Sequence, residues 1–227
     1  MIASLYNTLL WYNANRGSPA SSKILNLFEL WKNLHAMFVN ISDEGWRSLK
    51  DLAEKLNITM RISREDEKWL FLYALETYLN ILMRAITLSK LGRSVKDLES
   101  FRDNIYQLRN IFEHNVFEWI FDASYDNSLQ QKIREDLRSS INLLLEVVYN
   151  LDLFYVSFDM FREFYQNILP REVRKSLGEF YTNDDIVNKV LDAAELDRDA
   201  IRNLYERWRR GEKDTIILDP ACGSGFF

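Results

Sequence analysis

The sequence predicts a mostly α protein: a helical domain over residues 1–168, followed over 169–227 by the start of an α/β core. Three observations predict it. Glycine (7) and proline (3) are scarce, while leucine, glutamate and arginine, which favour helix, are plentiful. Apolar residues recur at three- and four-residue steps over most of the length. After Pro170 the pattern changes, and the chain reaches a short apolar run, Thr215, Ile216, Ile217 and Leu218, that reads as a buried strand.

The elements follow in order. Residues 1–15 read as a short apolar helix, broken by Arg16, Gly17, Ser18 and Pro19. Ser21 or Ser22 is expected to cap the next helix, to about Asn40, with Ile24, Leu27, Phe28, Trp31, Leu34 and Phe38 on its apolar face. Gly45 is read as a turn before a helix over 46–56. Ser63, followed by Glu65, Asp66 and Glu67, starts a long helix that Gly92 ends. Within it the apolar run 69–88 has the density of a membrane span. Glu76, Asn80 and Arg84 nevertheless share one stripe, and each charge would cost roughly 2.5–3.5 kcal/mol at mid-bilayer. A buried helix in a bundle is therefore expected, and no membrane partner.

Ser94 is expected to start a helix through Leu98, Phe101, Ile105 and Leu108. The aromatic run 110–122 is assigned no element, and 125–128 reads as a turn. Residues 129–150 return to helical spacing, and an aromatic helix over 153–169 stops at Pro170. Arg171, Arg174 and Lys175 read as a basic turn, and Glu179 to Thr182 as extended. Asn183 caps a helix over 184–195 whose inner face is Ile186, Val187, Val190 and Leu191. A polar helix over 198–210 carries Leu204 and Trp208, and Gly211 ends it.

Bulk properties restrict function. Apolar content of 47% and aromatic content of 14% are enough for a packed core and argue against disorder. The single cysteine, Cys222, rules out an intrachain disulfide framework and fits a reducing cytoplasm. No basic and apolar leader opens the chain, so a cytoplasmic location is expected. A net charge of −5 does not mark the whole chain as a nucleic-acid binder, although a local basic surface would serve.

The motif with the most chemistry is the loop after the strand: Asp219, Pro220, Ala221, Cys222, Gly223, Ser224, Gly225. Strand, acidic residue and glycine turn together present a cofactor site at a sheet's carboxyl edge, and glycines let a ligand approach bare backbone. Upstream stand Leu177, Gly178, Glu179, Phe180, Tyr181 and Thr182. The two segments together resemble the adenine-N6 DNA methyltransferases in which the cofactor motifs precede the catalytic motif. That family reads G-x-F/Y-Y-T-P upstream; Asn183 stands here for the proline.

The resemblance implies S-adenosylmethionine as cofactor and a Rossmann-like methyltransferase core. It implies that Asp219, Ala221, Gly223 and Gly225 line the methionine moiety, with Pro220 and Cys222 also in the cofactor-binding loop and Tyr181 and Thr182 at the carboxylate or sulfonium side. It implies double-stranded DNA as partner and a restriction–modification setting, with a nuclease domain or subunit as a further partner. The helical part is similar to the region that precedes the methyltransferase core in large restriction–modification polypeptides, at Phe28-Glu29-Leu30-Trp31 and at Ile168-Leu169-Pro170-Arg171. The family's catalytic tetrapeptide, N/D-P-P-Y/F, does not occur in these 227 residues. The chain is thus expected to be an amino-terminal portion without catalytic residues and inactive alone.

Two other functional classes fit the same residues. One is a helical interaction module whose last strand completes a partner's sheet; the other is a methyltransferase acting on RNA or protein. Glu65-Asp66-Glu67-Lys68 has the letters of a nuclease site but lies where a helix start wants acids. His35 and His114 lack metal-ligand spacing. The clusters Arg202, Arg207, Arg209, Arg210, Lys213 and Arg171, Arg174, Lys175 would serve as phosphate contacts or as solvated helix faces.

Overall fold

The computed structural model describes residues 1–61, 64–107, 116–151, 153, 160–177 and 184–212. The fold is mostly α, with no strand among the described residues. In order, the helices are α1 (Ile2–Ala14), α2 (Pro19–Phe38), α3 (Asp43–Lys55), α4 (Glu65–Lys90), α5 (Leu98–Gln107) and α6 (Trp119–Tyr125). They continue with α7 (Gln131–Asn150), α8 (Met160–Ile168), α9 (Arg171–Leu177), α10 (Asp184–Ala193) and α11 (Arg198–Arg209).

The core is built around α4. Its 26 residues are apolar on nearly every side, and Leu70 through Leu75 are fully buried. A helix apolar all round must be surrounded, and α1, α2 and α7 do so. Tyr73 marks the centre: Phe28, Trp31, Phe117 and Trp119 ring it at centroid distances of 5.5, 4.9, 5.6 and 6.1 Å. Its hydroxyl donates to the carbonyl of Val116, and burial raises its pKa. Tyr6, edge-on to Phe71 at 5.6 Å, has its phenol pushed up to about 12, first by burial and then by the Glu67 carboxylate.

The polar stripe of α4 is paired inside the bundle. Trp31 Nε1 donates to Glu76 Oε2 at 2.9 Å, and His35 Nε2 lies 3.4 Å from Glu76 Oε1. Arg84 Nη1 meets Glu118 Oε1 at 3.1 Å. No helix among the described residues is long and apolar enough to cross a membrane.

Around this centre, α6 packs between α2 and α7, and α5 rests on α7. The backbone N–H of Leu98 donates to Asn142 Oδ1 at 2.8 Å, tying the start of α5 to α7. Tyr12 donates to Asp126 Oδ2 at 2.8 Å, joining α1 to the α6–α7 turn. On the other side α3 pairs with α9. That pair is anchored to α4 through Trp46, edge-on to Trp69 at 5.0 Å with the Lys68 ammonium 4.6 Å above its ring. Leu169 and Val173 are buried in the same core, so residues just after 168 pack with the helical body.

Helix ends explain several otherwise unfavourable conformations. In α4, Gly92 takes φ +72°; its N–H bonds Ser89 O at 3.0 Å and that of Arg93 bonds Leu88 O at 2.9 Å. This is the two-bond Schellman stop. Gly211 ends α11 in the same way, and Asn57 ends α3. At α10 the position is held by Glu195, with φ +56° and an exposed side chain. A β-carbon there costs about 1 kcal/mol or more. Glu195→Gly is therefore expected to slow amide exchange across α10 about fivefold; unchanged protection contradicts this reading of the cap.

The structure revises several local expectations. Ser18, not Ser21 or Ser22, caps α2: its Oγ accepts from Ser21 N at 3.0 Å, and Pro19 takes the first helical position. Gly45 is not a turn but lies in the first turn of α3, its N–H on Ser42 Oγ at 3.1 Å. A β-carbon at Gly45 would stand 2.9 Å from Ile41 Cγ2, so the glycine makes room for that side chain at the start of α3, while the 3.7 Å to Glu172 O of α9 is ordinary contact. Asp97, not Ser94, caps α5, accepting from Ser100 N at 2.8 Å. Arg171, Arg174 and Lys175 form a helix, α9, rather than a turn, because Val173 is drawn into the core and Pro170 O accepts from Val173 N and Arg174 N.

Candidate functional site

The candidate cofactor residues Tyr181, Thr182, Asp219, Pro220, Ala221, Cys222, Gly223 and Gly225 lie outside the described residues, as do the strand 215–218 and Asn183. The structure describes what brackets them. Helix α9 closes at Leu177 before the upstream segment, and α10 opens at Asp184 directly after it. Helix α11 stops at Arg209, and Gly211, with φ +90°, ends it ahead of the strand and loop segment.

The two bracketing helices are amphipathic but little covered. On α10 only Val187 of the expected inner face is buried; Leu191 is half-buried, and Ile186 and Val190 are exposed at 53% and 47%. No residue of α11 is buried. Its stripe of Ile201, Leu204, Tyr205 and Trp208 runs along one face, with Tyr205 and Trp208 stacked at 6.3 Å and 23°. An apolar stripe buries itself only as far as another element lies against it, and Ile201, Tyr205 and Trp208 stay 42%, 57% and 55% exposed.

Charged candidates resolve differently. In the α11 cluster, Arg207 and Arg210 both bond Glu212, at 3.1 and 3.2 Å, and Arg202 lies 3.7 Å from Asp199. Lys213 lies outside the described residues. In the α9 cluster Lys175 is held by Glu172 at 3.0 Å, while Arg174 Nε donates to Leu169 O at 3.2 Å.

The acids at the start of α4 are each engaged. Glu65 pairs with Lys68 at 2.7 Å, Asp66 with Lys32 at 3.1 Å and Glu67 with Arg64 at 3.2 Å. The Lys68 hydrogen bond, foremost, holds the Glu65 carboxyl below its usual range. These are helix-start ion pairs, not a divalent-cation cage. No group of His, Cys, Asp and Glu among the described residues is arranged to hold a metal. His35 is committed to Trp31 O and Glu76, and His114 lies outside the described residues.

One residue that pattern reading passed over is Lys55. It ends α3 in an unremarked surface position, yet it lines a cleft shared with Arg171 and Arg174. Only the pairing of α3 with α9 brings the three together, and no local spacing signals that pairing.

Compared with known proteins, the chain matches no family model, no curated protein and no solved structure.

Proposed function

We propose that the chain carries the helical region and the methyl-donor loop of an S-adenosylmethionine-dependent adenine-N6 DNA methyltransferase, in a restriction–modification setting. The observation that carries this reading is the pairing of Gly178, Glu179, Phe180, Tyr181 and Thr182 with Asp219, Pro220, Ala221, Cys222, Gly223, Ser224 and Gly225. The helices α10 and α11, between the two segments, agree with the α/β order that the reading requires. In this assignment the loop amides and the Thr182 hydroxyl receive the cofactor's carboxylate, and Asp219 faces its ammonium group. The small residues Ala221, Gly223 and Gly225 permit the close approach. The cofactor supplies an activated methyl group; these residues bind and orient it. No N/D-P-P-Y/F tetrapeptide is present to hold an adenine amino group, so these 227 residues alone are assigned no methyl transfer.

A second reading draws on the exposed faces of α10 and α11. Ile186, Val190, Ile201, Tyr205 and Trp208 suit burial against further protein. In that reading the chain is a helical subunit that completes a methyltransferase on a partner polypeptide. The first reading is tested by ligand-observed NMR with S-adenosylmethionine on the wild-type chain and on Asp219→Ala; saturation of the ligand that Asp219→Ala abolishes is the expected result.

A further inference from the structure

The cleft between α3 and the α8–α9 junction, about 410 Å³ in volume, differs in charge from the rest of this acidic chain. Its lining includes Ser48, Asp51, Lys55, Gln166, Arg171 and Arg174, so three cations from two helices face one carboxylate. The neighbouring acids do not neutralise them. Glu54 is taken by Lys50 at 3.2 Å, and Glu172 by Lys175 at 3.0 Å. Lys55 and Arg171 have no ion pair among the described residues and are exposed. The bond from Arg174 Nε to Leu169 O fixes the root of that guanidinium at the rim and leaves its terminal nitrogens for another acceptor.

Polar amide and hydroxyl donors, from Gln166, Asn167 and Ser48, stand beside the cations. A tetrahedral dianion or a phosphodiester uses such a mixed set of charged and neutral donors, whereas a carboxylate ligand would need fewer. We propose that this cleft holds a backbone phosphate of duplex DNA. The choice of duplex DNA as the source of the phosphate rests on the methyltransferase reading; the charge geometry does not. The structure thereby adds Lys55 to the basic set 171–175 and removes Lys175 from it.

Fluorescence anisotropy with a labelled duplex, titrated with salt in the absence of S-adenosylmethionine, tests the proposal. Because Lys55 and Arg171 share one phosphate, Lys55→Gln and Arg171→Gln are each expected to flatten the slope of log affinity against log salt by a part of the roughly 0.9 that one phosphate contributes, and the double variant by up to about 0.9. The affinity lost between about 50 and 200 mM salt then shrinks up to roughly threefold in the double variant. Lys175→Gln, whose ammonium is already held by Glu172, is expected to keep the wild-type slope. Asp51→Asn is expected to tighten binding by removing the one opposing charge. Urea midpoints of these exposed variants check that each is folded. The proposal is overturned if Lys55→Gln and Arg171→Gln keep the wild-type slope, if Lys175→Gln flattens it equally, if Asp51→Asn fails to tighten binding, or if the wild-type chain binds no duplex. Because no cofactor is present, loss of the methyltransferase reading through the NMR experiment leaves this measurement intact.

Discussion

Replacing Trp119 by alanine is expected to lower the free energy of unfolding by about 3–5 kcal/mol, the cost of deleting a large aromatic from a closed core. Trp119 is fully buried, stacked on Tyr73 at 6.1 Å and 27°, and its Nε1 donates to Thr77 Oγ1 at 3.1 Å. Thr77 in turn donates to Tyr73 O at 2.7 Å, so the indole ties α6 to the middle of α4. The cavity opens beside fully buried Tyr73, where interdigitated rings cannot collapse inward without leaving their rotamers. Trp119→Phe keeps most of the ring volume and is expected to cost far less. Urea unfolding of the two variants measures the difference; a loss below about 1 kcal/mol for Trp119→Ala would place the core elsewhere.

The second large effect concerns the ion pair between α4 and the residue before α6. Arg84 and Glu118 side chains are exposed by only 9% and 14%, with nitrogen and oxygen 3.1 Å apart. Arg84→Met is expected to cost about 1.5–3 kcal/mol, because it removes the charge-assisted bond to Glu118 in a nearly closed site. The double variant Arg84→Met with Glu118→Leu is expected to recover most of the loss, since an apolar pair of similar volume avoids the desolvation penalty. Equal destabilisation in the single and double variants would contradict this. The outcome bears on why α4, with the apolar density of a membrane span, carries Glu76, Asn80 and Arg84. Glu76 and Arg84 are matched by partners on neighbouring elements: Trp31 and His35 for the first, Glu118 for the second.

Much of the helical part was legible in the sequence because its signals are local. The Arg16–Pro19 break, the acidic first turn of α4, the stop at Gly92 and the end of α8 before Pro170 each follow from backbone chemistry at the residue concerned. The misreadings are of two kinds. Gly45 is a local one: Ser42 Oγ accepts from its N–H and places it in the first turn of α3. Val173 and the apolar face of α10 are decided by what lies opposite them, which spacing alone does not report. The stretch 171–175 reads as a basic turn until Val173 is given a core to enter. The face of α10 reads as buried, yet Ile186 and Val190 stand exposed. The candidate cofactor site was legible as a motif pair, and its residues lie outside those the structure describes. The basic cleft was not legible, because Lys55 and Arg171 meet only through the packing of α3 on α9.

Thr182 and the loop from Asp219 to Gly225 are proposed to bind the methionine end of S-adenosylmethionine. Saturation-transfer difference NMR on the 227-residue chain tests it most directly, because it detects weak ligands and reports which ligand protons touch the protein. The expected result is weak binding in which the methionine protons and the S-methyl group saturate more strongly than the adenine protons. Asp219→Ala abolishes that signal without shifting the urea midpoint of the helical core. Absence of saturation, or saturation strongest at adenine and indifferent to Asp219→Ala, would contradict it.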